Sequence, residues 1–136
     1  MKKTSLIIVI IIVLALLSAC AGSSGDPVLS VGGKEYTKAG LEKLETMTVD
    51  YTNKDGETTA YTGVVLTALL EDAGVTNSDA MITFIAGDGY EAEIAMADLT
   101  ACSNCILAFD GDSLRTVMPD MSGKLQVKDV VEISGN

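Results

Sequence analysis

Histidine and tryptophan are absent from this chain of 136 residues, and Arg115 is its one arginine. Without His, Ser-His-Asp and Cys-His catalysis are excluded, as are imidazole-ligated haem and any His-built zinc site. Positive charge is scarce. Nine Lys and Arg stand against nineteen Asp and Glu, for a formal charge of −10. A surface of that sign repels nucleic acid and anionic lipid head groups, so no nucleic-acid partner is expected.

One long apolar run is present, and it lies at the start. Met1-Lys2-Lys3 is a short basic segment, Leu6 to Leu17 is unbroken apolar sequence, and Leu17-Ser18-Ala19-Cys20 follows. A basic start, an apolar centre and small residues before a cut form a secretory signal. The run is shorter than the roughly 20 apolar residues of a membrane span. A cysteine directly after the small residues resembles the lipobox of bacterial lipoproteins. The implied chemistry is alkylation of the Cys20 thiol with diacylglyceryl and cleavage before it. Residues 1–19 are then a signal peptide, and 20–27 a lipidated cysteine and flexible linker. Residues 28–136 form one domain on the extracytoplasmic side, at the cell surface or in the periplasm. Losing Lys2 and Lys3 takes the formal charge from −10 to −12. Ala21 to Pro27 reaches about 24 Å when extended, enough to hold a domain clear of the head groups.

Beyond the linker, the pattern predicts mixed strands and short helices. Val28–Val31 and Lys34–Tyr36 read as a hairpin about Gly32-Gly33. Thr37 reads as the cap of a helix over Lys38–Leu44. Met47–Thr52 alternates as a half-buried strand, Asn53-Lys54-Asp55-Gly56 is a turn, and Glu57–Tyr61 runs back. Gly63 is expected to let the chain turn into a helix over Val65–Ala73, which Gly74 stops. Met81–Ala86 and Tyr90–Ala95 flank Gly87-Asp88-Gly89 as a second hairpin. Ala97–Ala101 reads as one helical turn. Ile106–Phe109, Leu114–Met118 and Leu125–Ile133 read as strands, the last at the edge of the core. The fold class is α+β, a single domain built on mixed sheet.

Several pieces occur in a recognisable order: Leu41-Glu42-Lys43-Leu44, Tyr61-Thr62-Gly63-Val64-Val65-Leu66 with Leu69-Leu70, Asp88-Gly89-Tyr90, Ile106 to Leu114, Val117-Met118-Pro119, and Val127 to Ile133. The set resembles the molybdopterin-binding domain of the sulfite oxidase family. The resemblance implies that fold over Val28 to Ser134. It also implies a molybdopterin-type cofactor whose metal is held by a cysteine thiolate in the stretch before the aromatic-x-Gly-Val motif, and whose phosphate is held by Arg, His and Lys. Here that stretch is Thr46 to Ala60, and it has no Cys. With no His and one Arg, the scaffold matches and the active-site pieces do not. The expectation is a minimal relative without the cofactor and without a metal. Tyr61, Gly63, Tyr90 and Arg115 are the candidates for any cofactor or ligand contact.

Cys102-Ser103-Asn104-Cys105 is the remaining reactive motif. Its spacing suits a redox pair or half of a tetrathiolate site. With Cys20 lipidated, no four-cysteine site can form within one chain. A structural disulfide or two resting thiols is the favoured alternative for an exported protein. Asp110-Gly111-Asp112 lacks the ligand set of a calcium loop and reads as a turn. Two functions follow from these residues. The first is a non-catalytic binding or accessory lipoprotein, serving a membrane redox protein or a small ligand. The second is an oxidoreductase or its subunit, using a molybdopterin-type cofactor or the Cys102/Cys105 pair. A solute-binding lipoprotein is disfavoured, because one small domain has no second lobe to close on a ligand.

Overall fold

The computed structural model describes residues 25–136. Cys20, the expected signal peptide and the first part of the expected linker lie outside them. Nine strands form two sheets. The first sheet orders its strands β2-β1-β9-β5-β6, where β1 is Pro27–Val31, β2 Lys34–Thr37, β5 Met81–Ala86, β6 Glu91–Ala95 and β9 Val130–Gly135. The second orders β3-β4-β7-β8, where β3 is Thr46–Thr52, β4 Thr58–Val65, β7 Ile106–Asp110 and β8 Ser113–Val117. The pair β1–β9 is parallel and every other pair is antiparallel, so the fold is the mixed-sheet α+β expected.

Local chemistry explains most of the elements. Gly32 and Gly33 both take positive φ in the β1–β2 turn, which a side chain would resist. Thr37 caps α1 (Lys38–Glu42) by accepting a hydrogen bond from the Gly40 N–H at 3.1 Å. In α2 (Leu66–Asp72), Leu66, Leu69 and Leu70 share one buried face. Ala73 and Val75 donate back to Leu69 and Leu70, and Gly74 adopts φ +79°, closing the helix. The third helix, α3, spans Met96–Thr100 and buries Met96 and Leu99. The main core draws on both sheets and all three helices, with Val31, Leu41, Val64, Leu69, Phe84, Leu99, Leu107, Met118 and Ile133 among its buried members.

Two expectations are corrected. Gly63 does not start a turn. It lies inside β4, paired with Met47 on one side and Ala108 on the other. A Cβ there would collide with the Leu107 carbonyl oxygen and the Ala108 backbone, so glycine is required for close approach of β4 and β7. The segment Leu125–Ile133 is not one strand. Gly123–Leu125 is a 3-10 turn, and Asp129 sits at φ +55°. Strand β9 begins only at Val130, and it lies in the middle of its sheet between β1 and β5. A register shift at Ile85/Ala86 accompanies the break in alternation, so Val127, Val130 and Ile133 are the buried residues.

Asp72 ties β2 to the end of α2. It accepts from the Tyr36 hydroxyl at 2.7 Å and pairs with Lys34 at 2.9 Å. The hydrogen bonds from Tyr36 and Lys34 hold the Asp72 carboxyl below its ordinary range. A lowered folded-state value means that this stabilisation is complete above the unfolded carboxylate value and is lost as pH falls through the folded one. Thermal melts of Asp72→Asn should therefore show a smaller stability loss than wild type on acidification below about pH 4. Gly63→Ala should destabilise by at least about 2 kcal/mol in chemical denaturation, because backbone rather than a mobile side chain blocks the new methyl.

Candidate functional site

The second sheet carries a smaller apolar cluster on the face away from the main core. Val49, Ile106, Ala108 and Val117 are buried there, with Met47, Tyr51 and Tyr61 packed against them. Arg115 shares this face. Its β8 position pairs with Ala108, and its side chain lies beside Tyr61. The Arg115 residue is only 7% exposed. Its Nη1 donates to the Tyr61 hydroxyl at 3.1 Å, and the guanidinium carbon lies 4.8 Å from the Tyr61 ring centroid. The Arg115 Nε is buried with no hydrogen-bond partner. Among the described residues the ion pair found is Lys34–Asp72, so Arg115 has no carboxylate partner there.

A buried guanidinium without a counter-charge is costly, and buried charges in folded proteins are ordinarily paired. Tyr61 offsets part of the cost through its ring face and hydroxyl oxygen. The surroundings make the imbalance greater. Arg115 lines a cleft of about 540 Å³ together with Tyr51, Asn53, Lys54, Glu57, Thr59, Tyr61, Gly123, Gln126 and Lys128. Three of the seven Lys and Arg residues beyond Cys20 thus border one cleft, against the single acid Glu57. Local charge there is opposite to that of the whole chain, which is the arrangement an anion requires.

The far wall of this cleft is a loop held in place by side chains. Thr116, fully buried in β8, donates its hydroxyl to the Leu125 carbonyl and accepts from the Val127 N–H. Gln126 accepts from the Met118 N–H at 2.9 Å and donates to the Met118 carbonyl at 2.7 Å. These contacts fix residues 125–127 along β8, with Lys128 next in the chain.

Of the four candidate contact residues, the structure brings Tyr61 and Arg115 together. Gly63 follows Tyr61 along β4 and admits β7 rather than a ligand. Tyr90 lies elsewhere. Its hydroxyl donates to the Lys124 carbonyl at 2.9 Å, and it lines a separate cleft with Glu91, Glu93 and Ser122. Lys54, Gln126 and Lys128 were not singled out by sequence, where they read as turn and strand residues. Nothing local marks them, since Lys54 and Lys128 come to one cleft only through the fold.

Cys102 and Cys105 are joined, with sulfurs 1.97 Å apart, in the loop between α3 and β7. The pair follows a helix C-terminus. It therefore lacks the helix N-terminal dipole that lowers a thiol pKa in many redox motifs. It does not line the Arg115 cleft. Asp110 and Asp112 belong to the β7–β8 turn, where the Ser113 hydroxyl donates to the Asp110 carbonyl. Among the described residues no group of three or more His, Cys, Asp or Glu is placed to hold a metal.

The cofactor implied by the motif resemblance has an anionic phosphate and a thiolate-held molybdenum. The cations of the cleft suit the first. The second has no donor: Thr46 to Ala60 forms β3, a turn and the start of β4 without a cysteine, and Cys102 and Cys105 are bonded to each other outside the cleft. The residues present fit an anion and do not fit a thiolate-held metal.

No family model matches the sequence, and no curated protein matches it. Among solved structures, the chain is similar to the crystal structure of the sulfane dehydrogenase SoxCD from Paracoccus pantotrophus. The TM-score is 0.67, with 20% sequence identity over 83% of this chain. This chain spans 39% of the length of that one. The likeness is one of fold, and the α+β mixed-sheet scaffold is shared between the two.

Proposed function

We propose that the chain is an extracytoplasmic lipoprotein, anchored through Cys20, whose domain is a non-catalytic binding or accessory module for a small anion or an anionic group on a membrane redox partner. The observation that carries this reading is Arg115: buried, with Tyr61 as its hydrogen-bond partner, its Nε unpartnered, and Lys54 and Lys128 on the same cleft. A chain this acidic gains nothing in stability from gathering three cations around a cleft. A ligand supplies the missing negative charge.

A second reading is an oxidoreductase subunit that holds a molybdopterin-type cofactor. It is supported by the fold shared with a sulfane dehydrogenase and by the suitability of the cleft for a phosphate. It lacks a thiolate for the metal.

Three measurements test the cofactor, the anion site and the anchor in turn. Native mass spectrometry of the Cys20→Ser chain, exported from a host that makes molybdenum cofactor, should show the bare polypeptide or a small-anion adduct. The mass of a molybdenum–pterin complex would establish the second reading instead. Titration with inorganic phosphate or sulfate, followed by calorimetry, should give binding that Arg115→Gln weakens about tenfold or more, the value of one charge-assisted hydrogen bond. Equal binding by the variant would remove Arg115 from the site. Cys20→Ser should also abolish incorporation of labelled lipid and move the protein to the aqueous phase of a detergent partition. Retention of both properties would exclude the anchor.

A further inference from the structure

A sheet edge that is neither covered nor blunted invites pairing with another strand. The two sheets have four edges: β2, β6, β3 and β8. Three are closed or short. Along β8, the Thr116 N–H bonds the Val127 carbonyl and the Met118 N–H bonds Gln126. Strand β6 is short, with five residues, and carries the acids Glu91 and Glu93; the 3-10 turn approaches it across a cleft where the Tyr90 hydroxyl bonds the Lys124 carbonyl. Strand β2 has four residues and carries Lys34, held by Asp72. Strand β3 differs from all of these. It has seven residues without proline, lysine or a bulge, in unbroken register with β4.

Which groups of β3 are free follows from its hydrogen bonds. Val65 donates to the Glu45 carbonyl and Asn53 to the Glu57 carbonyl. The odd-numbered residues of β3 therefore bond β4, and Thr46, Thr48, Asp50 and Thr52 turn their N–H and C=O groups outward. No hydrogen bond along this outer edge is made to any other described segment.

We propose that this edge pairs with β3 of a second copy, antiparallel about a two-fold axis at Val49, joining the two four-stranded sheets into one. The register is self-complementary. Thr48 of one copy falls opposite Asp50 of the other, and Thr46 opposite Thr52, so outward groups meet outward groups. No acid faces an acid within the paired strands, which matters in a chain of this net charge. On the other face Met47 meets Tyr51 across the axis. Both are half-buried members of the smaller apolar cluster, and the pairing merges the two clusters into one. That merger favours a second copy over an unrelated extended peptide, whose side chains would have to supply the same apolar contacts.

The register gives a specific test. Thr48→Cys and Asp50→Cys full-length chains are made separately, then mixed in detergent and mildly oxidised. An intermolecular disulfide is expected in the mixture, with little in either variant alone, because residue 48 faces residue 50 and not itself. Sedimentation should give a dimer for wild type and a monomer for Thr48→Pro, which removes an outward N–H and leaves the β4 ladder intact. Thr48→Lys repeats that measurement without the backbone change, and both variants should keep the wild-type far-UV circular dichroism, while the melting midpoint of wild type alone should rise with protein concentration. A monomeric wild type, cross-linking as strong in the separate variants as in the mixture, or a dimer that survives both edge substitutions would each overturn the proposal.

Discussion

The clamp between β8 and the loop at residues 125–127 is the contact on which the rest of the molecule depends. Thr116 acts as donor and acceptor at once, and the Gln126 amide bonds the Met118 backbone as a neighbouring strand would. Buried polar groups persist only when so satisfied. The clamp closes one edge of the second sheet and builds one wall of the cationic cleft. It also directs the chain through Asp129 into β9, the central strand of the other sheet. Two sheets that share no strand are thereby locked to each other by a few side-chain hydrogen bonds and the apolar core between them.

The cleft illustrates how a local field can run against a global one. The whole chain is strongly acidic, yet Lys54, Arg115 and Lys128 converge from a turn, a strand and a loop far apart in sequence. The aromatic ring of Tyr61 makes a partly desolvated guanidinium tolerable without neutralising it. A carboxylate in that place would have satisfied the charge internally and left nothing for a ligand.

Much of the scaffold was legible in the sequence because its signals are local. Gly32-Gly33, Thr37, Gly74 and Gly87-Asp88-Gly89 mark turns and caps whose chemistry acts within a few residues. The failures have a common cause in long-range geometry. Gly63 read as a turn residue because the sequence does not show that β7 passes against it. The run Val127 to Ile133 read as an alternating strand because a positive φ at Asp129 and a register shift leave no trace in hydrophobic pattern. The same holds for the site. Tyr61 and Arg115 stood out as an aromatic in a motif and a lone arginine, but their contact spans two strands that β7 separates. Lys54 and Lys128 carried no sign at all.

The chain enters the described domain at Pro27, directly into β1, and β1 is an interior strand with β2 on one side and β9 on the other. Traction through the preceding linker would run along the strand and strain its flanking ladders lengthwise. Hydrogen bonds strained in that direction must yield together, whereas an edge strand pulled sideways gives them up one at a time. The amino-terminal end of the described domain is thus mechanically strong, and a load applied there is met by two ladders at once rather than by one that peels open.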